Sequence, residues 1–289
     1  DGDFSFETYK QLFDTSQLFA AGLLALGTVR EEKIGLISDN RKEWEQSDMG
    51  IMTIGACDVP RGCDASENDL KYILSFTEVK TCVVENSTQI KKIMNVKNDI
   101  PTLKQFIIFD QISDEVQSLC DASNVKIYTF QQILDLGKAF TEKNPNRVNE
   151  EIEKGQWDDI AAIIFTSGTT GTPKGVMLSH GNFITQLDEL QERIYLYPGD
   201  KAICVLPVWH VFQRLVEYVI LSQAASICYS KPIGSVLLPD MLKLNPTLLP
   251  AVPRVFEAVY EGVKKKMRRT GGFVEGLFNF FTSVAILHS

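Results

Sequence analysis

The chain has 289 residues, 44 % apolar and 23 % charged, the balance of a soluble globular protein with length for two ordinary domains or one large α/β domain. Its 37 acidic against 29 basic residues leave a net charge of −8, which argues against nucleic-acid binding, a role that needs a basic face. The six cysteines show no C-x-x-C spacing, so the common zinc and redox motifs are excluded; in a chain this long they read as reduced thiols, and the expected location is cytoplasmic.

In chain order, apolar residues at helical spacing (Tyr9, Leu12, Phe13, Leu18, Phe19, Leu23, Leu24) predict a helix over 6–26, stopped by Gly27. The opening Asp1-Gly2-Asp3 and the residues after it carry neither the basic start nor the apolar stretch of a secretory signal, and read as a cut into a longer protein. Residues 33–38 read as a buried strand and 42–55 as a helix. Ser66 and Asp69 stand at capping-box spacing ahead of a helix to Phe76. Residues 81–84 and 106–109 read as strands. Strands separated by helices of this length predict βαβ units and a largely parallel sheet. The polar stretch 141–158, with Pro145, reads as a surface crossover between a first α/β lobe over 1–140 and a second over 159–289.

In the second lobe, 160–166 and 175–178 are predicted strands, with Ser179 or His180 capping a helix to about 193. Strands follow at 202–206 and 225–229, and helices at 215–221, 240–243 and 254–267; Arg254 is expected to pair with Glu257. The last residues set Lys264, Lys265, Lys266, Arg268 and Arg269 beside an aromatic-rich helical stretch over 272–287. That pairing suits peripheral contact with an anionic membrane surface. The preferred reading is that its apolar residues, Phe280 and Phe281 among them, pack against protein outside this chain. No window approaches the ~20 apolar residues of a membrane-spanning helix.

The most telling segment follows the apolar run Ile163-Ile164-Phe165. Thr166, Ser167, Gly168, Thr169, Thr170, Gly171, Thr172, Pro173, Lys174 and Gly175 place five hydroxyls, three glycines and one lysine within ten residues. Glycines let backbone N–H groups turn toward a ligand, hydroxyls add short donors, and the lysine adds a point charge suited to phosphate. A strand feeding such a loop is built to hold a polyphosphate. The loop departs from the G-x-x-x-x-G-K-[S/T] pattern of P-loop nucleotidases: Pro173 replaces the second glycine, and Gly175 follows the lysine where a metal-binding hydroxyl belongs.

The order Thr-Ser-Gly-Thr-Thr-Gly-x-Pro-Lys-Gly instead resembles the phosphate loop of the adenylate-forming (AMP-binding) superfamily, which includes acyl-CoA synthetases, luciferases and the adenylation domains of peptide synthetases. Further segments, Ser38 to Trp44, Asp58-Val59-Pro60-Arg61-Gly62, Leu206 to Phe212 and Ala251 to Glu257, resemble the long-chain acyl-activating branch and run in that family's order. The resemblance implies an α/β fold of stacked, mostly parallel sheets flanked by helices, the incomplete N-terminal domain of such an enzyme. It implies ATP-dependent activation of a medium- or long-chain fatty acid to an acyl-adenylate, then thioester formation with coenzyme A or acyl carrier protein, with Mg2+ as cofactor.

Carried over residue by residue, the resemblance gives Thr166, Ser167, Gly168, Thr169, Thr170, Gly171, Thr172 and Lys174 to the ATP phosphates, and Thr166 also to Mg2+. It places His210 near the acyl carboxylate and α-phosphate. Trp209, Phe212, Arg214 and Tyr218 are candidates to line an acyl channel. Arg214 stands four residues after the histidine, where some long-chain members have an aromatic gate, so the gate does not transfer; Gln213 replaces a glutamate common in relatives. The family's later Gly-Tyr-Gly-x-Thr-Glu motif, ribose-binding aspartate and C-terminal domain are not found up to Ser289, so this segment is expected to catalyse little alone. Two other readings stand beside this one: a non-catalytic nucleotide- or lipid-binding module of the same fold, and an adenylating enzyme for another carboxylic acid.

Overall fold

Helices and strands alternate from the start of the chain: α1 (Tyr9–Ala25), β1 (Lys33–Ile37), α2 (Lys42–Thr53), β2 (Cys57–Arg61), α3 (Glu67–Phe76), β3 (Thr81–Val84), α4 (Ser87–Asn95), β4 (Gln105–Ile108), α5 (Asp114–Ala122), β5 (Lys126–Thr129), α6 (Phe130–Lys143) and α7 (Arg147–Glu153). The hairpin β6 (Ile160–Thr166) and β7 (Lys174–Ser179) and helix α8 (His180–Gln191) follow. This computed structural model describes residues 4–166 and 173–288. The chain forms two units, residues 1–194 with 207–215, and residues 195–206 with 216–289.

In the first unit seven strands make one sheet in the order β5-β4-β3-β1-β2-β6-β7, parallel except for β7. Because side chains alternate along a strand, each strand feeds two cores. Val84, Phe106 and Ile108 pack with Leu70, Ile90 and Val116 from α3, α4 and α5. Leu36, Val83 and Ile107 pack with Phe19, Trp44 and Ile133 from α1, α2 and α6. The result is the α/β architecture expected from the alternation, helices on both faces of a mostly parallel sheet. Helices α1 and α6 meet backbone to backbone, since a Cβ at Gly137 would overlap the Leu18 carbonyl and one at Gly22 the Ile133 carbonyl.

Four helices open on reciprocal capping boxes: Thr8 with Gln11, Ser66 with Asp69, Thr129 with Gln132, and Ser179 with Asn182. Each contributes on the order of 1 kcal/mol. The cap of α8 is therefore Ser179; His180 is the first helical residue, its imidazole held below its usual range by burial, against the pull of Asp159.

The stretch 141–158 holds the end of α6, helix α7 and a turn, and leads to β6, which pairs with β2 in the same sheet. Arg30 organises this turn. Its guanidinium donates to the Glu151 carbonyl (2.8 Å), to Glu151 Oε2 (3.3 Å) and to Asp159 Oδ2 (2.5 Å).

The second unit contains β8 (Lys201–Cys204) and β9 (Ser226–Tyr229), paired in parallel, with α10 (Gly234–Leu244), α11 (Pro253–Thr270) and α12 (Gly272–His288). Helix α9 (Val211–Ser222) begins in the first unit and continues in this one. On α12, Phe273, Leu277, Phe280 and Phe281 form an exposed stripe at helical spacing. Arg254 and Glu257 are both exposed, and the ion pair expected between them is not formed among the described residues. Among the described residues the six cysteines form no disulfide. Among the described residues no helix is long and apolar enough to cross a membrane.

Burial pushes Glu151 up, but hydrogen bonds from Lys154, Arg147 and Arg30 outweigh it and hold the carboxyl below its ordinary 4.5. Asp159 is held below 3.8 by the Gln156 amide and by Arg30. Lowered folded-state values mean that the stabilisation is whole above about pH 5 and fades as acid protonates both groups. Arg30→Met should cost about 2 kcal/mol at pH 7 by urea unfolding. That deficit should shrink toward about pH 3; a deficit constant with pH would contradict the assignment.

Candidate functional site

Parallel strands end on the same edge of a sheet, and ligands in open α/β sheets bind beyond that carboxyl edge. Here the edge gathers the segments after β1 (Ser38 to Arg41), after β2 (Gly62, Cys63) and after β3 (Glu85), with the end of β6 at Thr166. Strand β7 runs back from it. The hairpin register sets Thr166 directly opposite Lys174, with both side chains exposed. The mouth of the glycine- and threonine-rich loop is therefore a hydroxyl and an ammonium on facing strand ends, and among the described residues Lys174 has no ion pair. Ser167, Gly168, Thr169, Thr170, Gly171 and Thr172, the other residues expected on phosphate, lie outside the described residues.

The segment 207–212 docks on the same edge. The Val208 amide donates to Asn40 Oδ1 at 2.8 Å, and the Val208 side chain is buried in the α1–α2–α6 core. The Arg61 guanidinium lies over the Trp209 ring, 4.9 Å from its centroid. Asp58 on β2 faces Ala162 on β6, which brings Arg61 level with the end of β6. Adjacent strands lie ~4.8 Å apart, so the Trp209 seat borders the strand that feeds the loop. His210 is exposed, and its Nδ1 accepts from the Phe212 amide at 3.3 Å. That bond leaves the proton of neutral imidazole on Nε2, as a donor toward the open side. Phe212 is 45 % exposed.

Arg214, expected along an acyl channel, is instead completely buried, between Asp48 and Asp58. A side chain with both carboxylate partners inside the core has no surface to offer an acyl chain. Tyr218 is also buried, at 6 % exposure. The structure thus groups Thr166 with Lys174, and Trp209 with His210 and Phe212, on one edge, and removes Arg214 from it.

Residues that sequence reasoning did not assign complete the edge. Glu85 Oε2 accepts from the Ser38 hydroxyl (3.0 Å) and the Asp39 amide (2.9 Å), and Asp39 Oδ1 accepts from the Cys63 amide (3.0 Å). This ties together the ends of β1, β2 and β3. Burial first, then Glu85 and Asp39, push the Cys63 thiol up to about 12. It therefore stays protonated at neutral pH, which makes it a poor nucleophile. The traceable signal for this edge was a polar run directly after a buried strand, Ser38-Asp39-Asn40.

Gly62 is part of the Trp209 seat, because a Cβ there would overlap the indole nitrogen and crowd Asp64. Gly62→Ala is expected to cost about 1–3 kcal/mol and to alter Trp209 fluorescence. In a Trp209→Ala background the same change should cost little. An unaltered unfolding midpoint and spectrum would refute the seat.

Comparison with known proteins bears on family and fold. The family model for AMP-binding enzymes matches residues 2–278. A chloroplastic long-chain-fatty-acid–acyl-carrier-protein ligase of Arabidopsis thaliana is 33 % identical over 263 residues, covering 90 % of this chain and 36 % of the ligase. The peroxisomal long chain acyl-CoA synthetase 6 of the same plant is 26 % identical over 280 residues, covering 96 % and 38 %. The chain thus spans under two fifths of the length of these two relatives. Among solved structures, the adenylation domain of a carboxylate reductase from Mycobacterium chelonae superposes with a TM-score of 0.78 at 19 % identity, over 93 % of this chain and 42 % of that one. The A-PCP didomain of the carboxylic acid reductase from Segniliparus rugosus, solved with AMP, gives 0.77 at 20 %, over 93 % and 39 %. A match running from residue 2 to residue 278, on a fold shared with adenylation domains, places this chain in the AMP-binding enzyme family.

Proposed function

We propose that the protein carrying this chain activates a medium- or long-chain fatty acid with ATP and transfers the acyl group to the thiol of coenzyme A or acyl carrier protein. The observation that carries this reading is the facing pair Thr166 and Lys174 at the mouth of the hairpin, on the sheet edge where Trp209 and His210 are docked. The names of the relatives, a fatty-acid–acyl-carrier-protein ligase and an acyl-CoA synthetase, support the substrate class.

The first step is attack by a carboxylate oxygen on the α-phosphorus of ATP, with the bond to the bridging oxygen breaking and pyrophosphate leaving. In the second, a thiol sulfur attacks the acyl carbon, AMP departs, and the thiol proton passes to solvent or base. Both steps depend on placing charge opposite charge more than on a protein nucleophile. Lys174 is the residue to hold the β- and γ-phosphates as negative charge builds on the leaving group. Ser167, Gly168, Thr169, Thr170, Gly171 and Thr172 would supply hydroxyl and amide donors around the same oxygens. His210, with Nδ1 occupied by the Phe212 amide, offers Nε2–H to an oxygen of the carboxylate or α-phosphate. Trp209 and Phe212 provide apolar surface beside it. Thr166 offers a neutral oxygen of the kind Mg2+ accepts, and the ion, when bound with the triphosphate, neutralises phosphate charge.

Acid-dependent pyrophosphate release, measured in the whole protein across fatty, aromatic and amino acids, tests the reading. Fatty acids should be preferred. Lys174→Ala should keep the fold and lower kcat by about 10²–10³-fold, the usual cost of one preorganised donor. Wild-type release that ignores fatty acids, or a Lys174→Ala protein with undiminished release, refutes it.

A further inference from the structure

The fully buried guanidinium of Arg214 has no part in the chemistry just described, yet it sits four residues beyond His210. Its two nitrogens grip Asp58 as a fork, Nη2 to Oδ1 at 2.9 Å and Nη1 to Oδ2 at 3.1 Å, while Nη2 also bonds Asp48. Met52 Sδ lies 3.7 Å from Nη2, and the rings of Phe183 and Trp44 lie 5.1 and 5.6 Å from the guanidinium carbon. All three charged side chains are 0 % exposed.

An apolar cluster of the same volume serves stability about as well as a buried ion pair, because desolvation consumes most of the Coulombic gain. What the fork adds is direction: a planar, two-point grip fixes where the attached backbone lies. The backbone it fixes is the first turn of α9. The Arg214 amide donates to the His210 carbonyl at 3.2 Å, and within that turn the Phe212 amide holds His210 Nδ1. On the other side the segment is pinned by Asn40 at Val208 and by Arg61 at Trp209. Arg214 is the anchor on the α9 side of the exposed imidazole.

We propose that Arg214 is a positioning residue, whose ion triad with Asp48 and Asp58 locks the first turn of α9 and so sets the direction of His210. The inference rests on the reading of His210 as a substrate-facing group. It assigns Arg214 an orienting task at the position that, by the resemblance, is an aromatic gate in some long-chain members.

The test removes the grip through the triple variant Asp48→Asn, Asp58→Asn, Arg214→Met in the whole protein. Hydrogen exchange of the amides over 208–212 should quicken at least tenfold, while peptides from β1 and β3 keep the wild-type rate. The kcat/KM for fatty acid should fall about tenfold. In a His210→Ala background the same triple change should cost less than about twofold, because the groups act through one another. Losses that multiply in the double background, or exchange that rises equally in the core strands, show a merely structural role and overturn the proposal. If the triple variant fails to fold, Arg214→Lys keeps the charge and loses the fork. It should show the same local exchange and the same non-additivity with His210→Ala, and wild-type behaviour in it would also overturn the proposal. A wild-type protein without fatty-acid-dependent pyrophosphate release rejects the functional reading alone, since the exchange measurement still judges the anchor.

Discussion

Asp58 is the residue on which the architecture turns. It lies on β2, between β1 and β6, with no solvent exposure. Burial pushes its carboxyl up, and Arg214 works against that by charge and hydrogen bonds. A carboxylate left alone there would carry a penalty of several kcal/mol. A guanidinium from 156 residues later reaches this point and meets that charge, where the sheet joins β6 and its hairpin to β1–β5. One contact thus links the middle of the sheet to the first turn of α9.

The same contact explains where sequence reading was blind. Strand β2 contains Asp58 and Pro60, both of which argue against a central strand. Nothing local indicates that a distant arginine neutralises the first. Pro60, with no amide to donate, falls where pairing to β6 is limited to the single Asp58–Ala162 register point. By contrast β1, β3, β4 and β6 are short apolar runs bounded by polar residues, and their periods were readable. So was the Ser66–Asp69 cap, since a capping box is a contact over three residues. Helix α10 was caught only in part, because Pro239 lies within it. The chain 141–158 looked like a divide because it is polar, yet Glu151 there is buried and its charge is met by Arg30, Arg147 and Lys154.

At the site, residue type and spacing were enough to point to phosphate chemistry, since hydroxyls, glycines and a lysine after a strand have few other uses together. They put Thr166 and Lys174 each among the residues expected on phosphate, and the hairpin register sets the two face to face. Arg214 shows the limit of such reading. Its place in a motif suggested a channel wall, whereas its environment is an ion triad whose carboxylates come from α2 and β2. A charged residue's task depends on what the fold brings to it, and that information is non-local.

The antiparallel pairing of β6 with β7 imposes a parity rule. Side chains alternate sides along β7, so Lys174, Val176 and Leu178 share one side of the ribbon and Gly175, Met177 and Ser179 the other. Removing a single residue between Lys174 and the Ser179 cap would turn the Lys174 ammonium to the reverse side, with the capping hydroxyl still in place. Length is thus frozen in the six residues of β7.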